Sequence, residues 1–239
     1  MGNLRDNKGY NQVFKPSKAL EVRTERRCDY IISKINLKGN KRILEIGSGT
    51  GELAYMIAKK TGKNVTGIDV CKPFVDKAKK EYKLKGLSYK LIDFNNKKDL
   101  AKIRSLGRFD YIIGNGILHH LFYDLHKSLK NIKLMLKDDG GIVFLEPNIF
   151  NPYCFFIFKF YLFRKMANLD PEEMAFSRRF IYGRLMDSGF SNIEVRYKDF
   201  LLPNTPAFLI KTVIFVGAIL ERIPLLNMVS QSIFISAKK

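Results

Sequence analysis

A glycine-rich segment that directly follows an apolar run is the part of this sequence best suited to hold a ligand. It reads Ile43-Leu-Glu-Ile-Gly-Ser-Gly-Thr-Gly51, with glycine at every second position from Gly47. Glycine permits a close approach of ligand to backbone that a Cβ atom would block. A helix starting directly after the turn would offer unpaired N–H groups and a partial positive charge. The GxGxG spacing differs from the GxGxxG fingerprint of dinucleotide-binding turns.

Acidic residues stand where the next two predicted strands end. Asp69 closes the segment Thr-Gly-Ile-Asp, at a distance from the turn where a carboxylate can accept hydrogen bonds from both hydroxyls of a ribose. Asp93 follows the third strand, where its carboxylate can accept from an adenine amino group, and the ring of Phe94 can flank the base. These positions predict that a nucleoside-bearing cofactor binds at one edge of a sheet.

The elements that must position these residues alternate from Lys41 onward between short apolar runs and amphipathic segments, which is typical of βαβ units around a parallel sheet. The predicted strands are Arg42–Ile46, Asn64–Ile68, Ser88–Ile92, Tyr111–Ile113, Gly141–Leu145, Asn192–Tyr197 and Ser230–Ser236. The predicted helices are Gly51–Lys60, Lys72–Lys85, Lys97–Arg104, Leu121–Leu136, Ser177–Ser188 and Thr205–Ile223. Gly140 and Gly141 are predicted to break the chain between the fourth helix and the fifth strand.

The motifs between Glu45 and Pro147 resemble those of the class I S-adenosylmethionine-dependent methyltransferases, within the group that contains ubiquinone and menaquinone biosynthesis methyltransferases. The resemblance is carried by the glycine turn, the two strand-end aspartates, an Ile-Leu-His-His-Leu segment ending at Leu121 and a Leu-Lys-Asp-Asp-Gly-Gly segment starting at Leu136. It implies an α/β fold: a Rossmann-like, doubly wound, seven-stranded and mostly parallel sheet whose last strand is antiparallel. The chain is expected to form one domain, with a helical N-terminal arm (1–40), a cofactor-binding core (41–148) and an inserted apolar lid within 149–239.

The resemblance further implies S-adenosyl-L-methionine as the cofactor. The residues implied to contact it are Glu45, Gly47, Ser48, Gly49, Asp69, Val70, Asp93, Phe94 and Asn115. Some of these positions also permit a structural role: Val70 and Phe94 as core residues, and Glu45 as a hydrogen-bond partner of the turn. Gly51 can either contact the ligand or permit the helix to pack closely on a strand.

Two neighbouring histidines, His119 and His120, follow the fourth predicted strand at the carboxyl edge of the sheet. Methyl transfer from a sulfonium releases a neutral leaving group, so it depends mainly on in-line alignment with water excluded. A base is needed only if the acceptor must lose a proton. Either histidine could be that base, and His120 matches the more regular histidine of the family segment. The alternative is that each caps or packs the following helix.

Three separated cysteines without a CxxC pair predict neither a disulfide nor a metal site.

The formal net charge of +19 raises the alternative of a nucleic-acid methyltransferase. The basic residues are spread along the whole chain, whereas a dedicated nucleic-acid-binding arm would concentrate them. The segment Gly114-Asn-Gly-Ile117 also lacks the Asn/Asp-Pro-Pro-aromatic motif typical of enzymes that methylate base amino groups. The charge favours anionic surfaces such as phospholipid headgroups, although lysine-rich solvated faces explain it equally well. A cofactor-binding regulatory protein without catalysis and a nicotinamide dehydrogenase are further alternatives.

Two apolar segments follow the core. Phe150–Phe163 holds eight aromatic residues, and Ala207–Leu220 is apolar apart from Lys211 and Thr212. Both are too short to predict a membrane span, so each is expected to be an interfacial or buried helix. They either form the packed core of a lid or line the entrance for a small-molecule or lipid-like acceptor bearing a prenyl or acyl chain. The first twenty residues show no secretory signal. The chain is therefore expected in the cytoplasm, either free or peripherally bound at the inner face of the membrane.

Overall fold

One mixed sheet of seven strands organises the computed structural model, which describes residues 17–239 except 95, 168 and 170–172. The strands are β1 (Arg42–Ile46), β2 (Asn64–Asp69), β3 (Leu87–Leu91), β4 (Phe109–Asn115), β5 (Leu136–Pro147), β6 (Ser191–Lys198) and β7 (Ser232–Lys238). Their order is β3-β2-β1-β4-β5-β7-β6, and β7 runs antiparallel to both of its neighbours. The other pairs are parallel. The predicted fold class is thereby confirmed.

Helices cover both faces of this sheet. They are α1 (Lys18–Lys34), α2 (Glu52–Thr61), α3 (Lys72–Glu81), α4 (Lys97–Ser105), α5 (Leu125–Met135), α6 (Pro152–Lys159), α7 (Tyr161–Met166), α8 (Arg178–Asp187) and α9 (Ile210–Leu220). One core layer joins the sheet to α1, α2 and α3, and the other joins it to α4, α5 and α8. β1 and β4 are buried on both faces, so consecutive residues such as Ile43 and Leu44, or Ile112 and Ile113, are apolar. The helix of the predicted N-terminal arm is α1, and residues 1–16 of that arm lie outside the described residues.

The predicted break at Gly140 and Gly141 is wrong, because both glycines lie inside β5. The strand starts at Leu136, where Phe109 pairs with it, and its pairing with β4 is irregular between Phe109 and Tyr111. A Cβ atom on Gly140 would lie 2.8 Å from the carbonyl oxygen of Lys137. Glycine is thus required by a close backbone approach at an irregular point of the strand, a use that a sequence cannot distinguish from a turn.

The segment predicted as one helix, Leu121–Leu136, is also divided in the structure. A 3₁₀ helix spans Leu118–Asp124, and α5 starts only at Leu125. The aromatic segment likewise forms the two short helices α6 and α7. Asn151 caps the first of these by accepting from the backbone N–H of Cys154, and Pro152 stands at its first position.

Candidate functional site

The glycine turn joins β1 to α2 in a left-handed backbone conformation. Gly47, Gly49 and Gly51 have φ angles of 69°, 51° and 94°. A Cβ atom on Gly47 would lie 2.7 Å from Cδ1 of Ile117. On Gly51 it would lie 2.8 Å from Cβ of Ala78 and from the ring of Tyr89. Gly51, directly before α2, therefore permits close packing against α3 and β3, whereas Gly47 and Gly49 shape the turn at the edge.

Asp69, at the end of β2, ties this turn to the neighbouring strand. Its Oδ2 atom accepts from the backbone N–H of Gly49 at 2.8 Å, and Oδ1 accepts from that of Cys71 at 2.8 Å. Burial raises the pKa of Asp69 in spite of these hydrogen bonds. Each carboxylate oxygen retains a further lone pair, so the group can still accept from a ligand hydroxyl.

Two buried polar atoms at the turn lack a hydrogen-bond partner among the described residues, and both belong to predicted contact residues. They are Oε2 of Glu45 and Oγ of Ser48. Burial, followed by the nearby carboxylates of Glu52 and Asp69, raises the pKa of Glu45 to about 8. Buried polar atoms normally have partners, so these two point to a polar ligand. Near pH 7 Glu45 is therefore protonated and can donate a hydrogen bond, while the negative charge beside it comes from Glu52 and Asp69 and disfavours a pyrophosphate.

The other predicted cofactor contacts lie at the same carboxyl edge of the sheet, in more varied surroundings. Val70 and Asp93 are partly buried, and the backbone N–H of Asp93 donates to Oδ2 of Asp99 at 2.9 Å. Phe94 is 7% exposed and belongs to the hydrophobic core. Asn115, at the end of β4, accepts through Oδ1 from Nη1 of Arg27. The arrangement thus gives Phe94 a packing role and joins Asn115 to α1.

Glu146, which the sequence reasoning missed, organises the segment after β4. Its Oε1 atom accepts from the backbone N–H of Ile117 and Leu118 at 3.0 and 2.8 Å. Its Oε2 atom faces the backbone N–H of His119 at 3.2 Å and the Nδ1 atom of that ring at 2.9 Å. Burial, with neighbouring His120, lowers the pKa of His119, so this ring is neutral near pH 7. The only sequence signal was an acidic residue just before Pro147 at the end of a predicted strand.

His120 has a different carboxylate partner, Glu173, another residue that the sequence reasoning missed. Nδ1 of His120 lies 3.0 Å from Oε1 of Glu173, and the centroids of the two histidine rings are 4.1 Å apart. One ligand atom from each of His119, His120 and Glu173 falls within 4.8 Å of the others, a spacing that could hold a metal ion. The expectation that the chain binds no metal stays a prediction.

A cavity of about 60 Å³ lies between α1, α6 and the carboxyl ends of β4 and β5. It is next to the glycine turn, because Gly116 lines it and Ile117 packs on Gly47. The side chains at its border that can do chemistry are Arg23, Arg27, His119, Glu146, Tyr153 and Cys154. The position makes it the candidate acceptor pocket, with His119 rather than His120 at its wall.

A parallel α/β sheet with a GxGxG turn after β1 and a carboxylate after β2 defines the class of Rossmann-like, nucleoside-cofactor proteins. A methyltransferase-domain family matches residues 37–188. The chain belongs to this family, and its assignment to the class I S-adenosylmethionine-dependent methyltransferases, with that cofactor, is confirmed.

Similar proteins agree with this family. The ubiquinone biosynthesis O-methyltransferase of Actinobacillus pleuropneumoniae serotype 7 is 32% identical over 58% of this chain and 58% of its own length. The demethylmenaquinone methyltransferase of Thermus thermophilus is 32% identical over 46% of this chain and 48% of its own. The matches thus span 58% and 48% of the length of these two relatives.

Solved structures show the same fold. A SAM-dependent methyltransferase from Archaeoglobus fulgidus has a TM-score of 0.66 at 19% identity, covering 96% of this chain and 98% of that one. The phosphoethanolamine N-methyltransferase 2 of Haemonchus contortus, in complex with S-adenosyl-L-methionine, has a TM-score of 0.66 at 17% identity and covers 100% and 60%. Among the described residues, no helix has the length and apolar character needed to cross a membrane.

Proposed function

We propose that this protein transfers a methyl group from S-adenosylmethionine to a small-molecule acceptor with an apolar chain, bound in the cavity between α1 and α6. The observation that carries the proposal is the position of this cavity, which adjoins the glycine turn through Gly116 and Ile117. S-adenosylmethionine supplies a positively charged sulfonium with an electrophilic methyl group. Names of relatives that refer to ubiquinone biosynthesis and demethylmenaquinone support a small-molecule acceptor.

The residues of this chain would serve three tasks. Glu45, Ser48 and Asp69 hold the cofactor, and the buried cavity excludes water from the acceptor. His119 takes a proton from an acceptor that must lose one, because its neutral ring borders the cavity and Glu146 holds its Nδ1 atom. This is the arrangement of a base oriented by a carboxylate.

The apolar chain of the acceptor is suggested by the surface beside the cavity. Much of the aromatic segment is exposed rather than packed, as expected for an interfacial segment and not for a closed lid core. We define as the aromatic surface its exposed rings Phe150, Tyr153, Phe155, Phe156, Phe160, Tyr161 and Phe163. α9, which packs near Ala19 of α1, exposes Phe215, Val216 and Ile219. The chain thus has a second exposed apolar surface in addition to the aromatic surface beside the cavity.

The first test is the choice of cofactor. We expect S-adenosylhomocysteine to bind with a dissociation constant in the micromolar range, about −8 kcal/mol, and NAD not to bind. The carboxylates of Glu52 and Asp69 disfavour a pyrophosphate, while the unpartnered Glu45 and Ser48 atoms suit a polar ligand. Isothermal titration calorimetry measures both ligands. Binding of NAD without binding of S-adenosylhomocysteine would overturn the proposed function.

The second test is membrane binding, with an anionic bilayer as the partner of the aromatic surface. We expect the protein to float with anionic vesicles at low salt, since each lysine near such a surface contributes about 1 kcal/mol. Lys159 lies within the aromatic segment, and Lys165 stands two residues beyond its end. Added salt should weaken the electrostatic attraction to the anionic lipid, while the insertion of apolar side chains persists.

A pair of substitutions separates membrane insertion from general stickiness. Tyr161→Asp removes a ring that is 80% exposed on the aromatic surface, and Tyr123→Asp removes one that is 72% exposed on the 3₁₀ helix after β4. Only the first should reduce flotation at high salt. If the protein stays at the bottom of the gradient with every vesicle type, the result would argue for a soluble acceptor and a purely cytoplasmic location.

A further inference from the structure

Two buried arginines of α1 share one carboxylate beside the cavity. Arg23 and Arg27 are each 7% exposed, and Asp199 is 5% exposed. Oδ2 of Asp199 accepts from Nε of Arg23 at 3.0 Å and from Nε and Nη2 of Arg27 at 3.2 and 3.1 Å. Two guanidinium groups against one carboxylate leave a local excess of one positive charge. Burying an unbalanced charge is costly, so an anionic ligand would be stabilised at this place.

The remaining donors of the two arginines are used differently. Arg27 donates through Nη1 to Asn115 and through Nη2 to Oγ of Ser232, so it links α1 to β4 and β7. Arg23 also lines the cavity, but its hydrogen bond to Asp199 uses only Nε. No acceptor in the part of the chain that the structure describes lies within hydrogen-bond distance of its Nη atoms. Such a guanidinium presents a planar pair of donors that matches an oxyanion bidentately.

Asp199 is held so that it can orient Arg23. Its φ angle is 73°, a left-handed conformation that costs a non-glycine residue energy and persists only where the surroundings enforce it. Its backbone N–H donates to Oε1 of Glu221 at 2.9 Å, and its Oδ1 accepts from the backbone N–H of Leu201 at 3.2 Å. Although burial alone would raise the pKa of Asp199, Arg27 and Arg23 hold it below its usual value. Asp199 is therefore a positioning residue for the Arg23 donors.

The geometry points to a carboxylate on the methyl acceptor, bound by the Nη atoms of Arg23, so that the acceptor is an organic acid. This inference rests on the proposed function, because it assigns the substrate class of the same cavity. The local excess of one charge suits a carboxylate better than a phosphate dianion. His119 borders the same cavity, so an acid held by Arg23 would also have the proposed base within its pocket. Glu146 also borders the cavity, and its carboxylate is stabilised by hydrogen bonds from three backbone N–H groups and by the His119 ring rather than by Arg23.

The test compares three probes of equal chain length on the full chain saturated with S-adenosylhomocysteine: decanoate, decanamide and decyl phosphate. Calorimetry should show decanoate binding at least about tenfold more tightly than decanamide, since a charge-assisted hydrogen bond is lost in the amide. Equal binding of acid and amide, or no binding of either, would overturn the inference. Tighter binding of decyl phosphate than of decanoate would contradict the assignment to a carboxylate.

Variants on α1 test whether Arg23 causes the preference for the acid over the amide. Arg23→Met should remove the preference for acid over amide, whereas Arg26→Met should retain it, because Arg26 does not line the cavity. Arg23→Lys keeps the charge beside Asp199 but lacks the paired donors, so it tests the same point if Arg23→Met fails to fold by circular dichroism. Retention of the full preference in the folded Arg23 variants would refute the role of Arg23. If the wild-type protein does not bind S-adenosylhomocysteine at all, the proposed function is refuted, and this inference with it.

Discussion

Replacing Glu146 with alanine should lower the free energy of unfolding by at least about 3 kcal/mol, since each buried N–H left without an acceptor costs roughly 1–3 kcal/mol. The substitution leaves three such groups, those of Ile117, Leu118 and His119, without the acceptor they have now. It also removes the partner of the buried His119 ring. Denaturation with urea, followed by circular dichroism, measures the change.

Two further variants show whether the loss comes from this network. Glu146→Gln keeps one carbonyl oxygen as an acceptor, so it should be less destabilising than alanine. Glu21→Ala removes an exposed carboxylate that pairs with Lys18 on the surface of α1, and it should change the free energy of unfolding by less than about 0.5 kcal/mol. An equal effect of Glu146→Ala and Glu21→Ala would mean that Glu146 does not hold the segment after β4.

Asp69→Ala should weaken binding of S-adenosylhomocysteine at least about tenfold, because hydrogen bonds to a charged group contribute roughly 1.5–3 kcal/mol each. The structure adds a second reason to the predicted ribose contact. Asp69 also accepts from the backbone of Gly49, so alanine releases the turn on which the cofactor is expected to lie. Calorimetry on the folded variant gives the dissociation constant.

The matched control is Asp76→Ala in the neighbouring helix α3. Asp76 forms an exposed ion pair with Lys72, and its loss should leave the dissociation constant unchanged. Asp69→Asn retains an acceptor oxygen, so its dissociation constant for S-adenosylhomocysteine should lie between those of the wild type and Asp69→Ala. An unchanged dissociation constant for a folded Asp69→Ala protein would show that Asp69 does not bind the cofactor.

The sequence by itself determined the edge of the sheet where the cofactor is expected. The glycine turn directly follows β1, Asp69 is the last residue of β2, and Asp93 stands two positions after the end of β3. Because crossover helices return each parallel strand in the same direction, residues that follow different strands meet at the same edge. Alternation of apolar strands and amphipathic helices is a local pattern, so it predicted the core elements without knowledge of any long-range contact.

Only the tertiary structure brought together the residues around the proposed acceptor cavity. Arg27 meets Asp199 across 172 positions of sequence, and His119 meets Glu146 across 27. No periodicity links such residues, because their contact depends on where β7 inserts between β5 and β6 and on how α1 packs across that edge. The same holds for the aromatic segment, whose composition suited both a buried lid core and an exposed surface. Its exposure depends on how much neighbouring chain packs against α6 and α7, which is a property of the assembled fold.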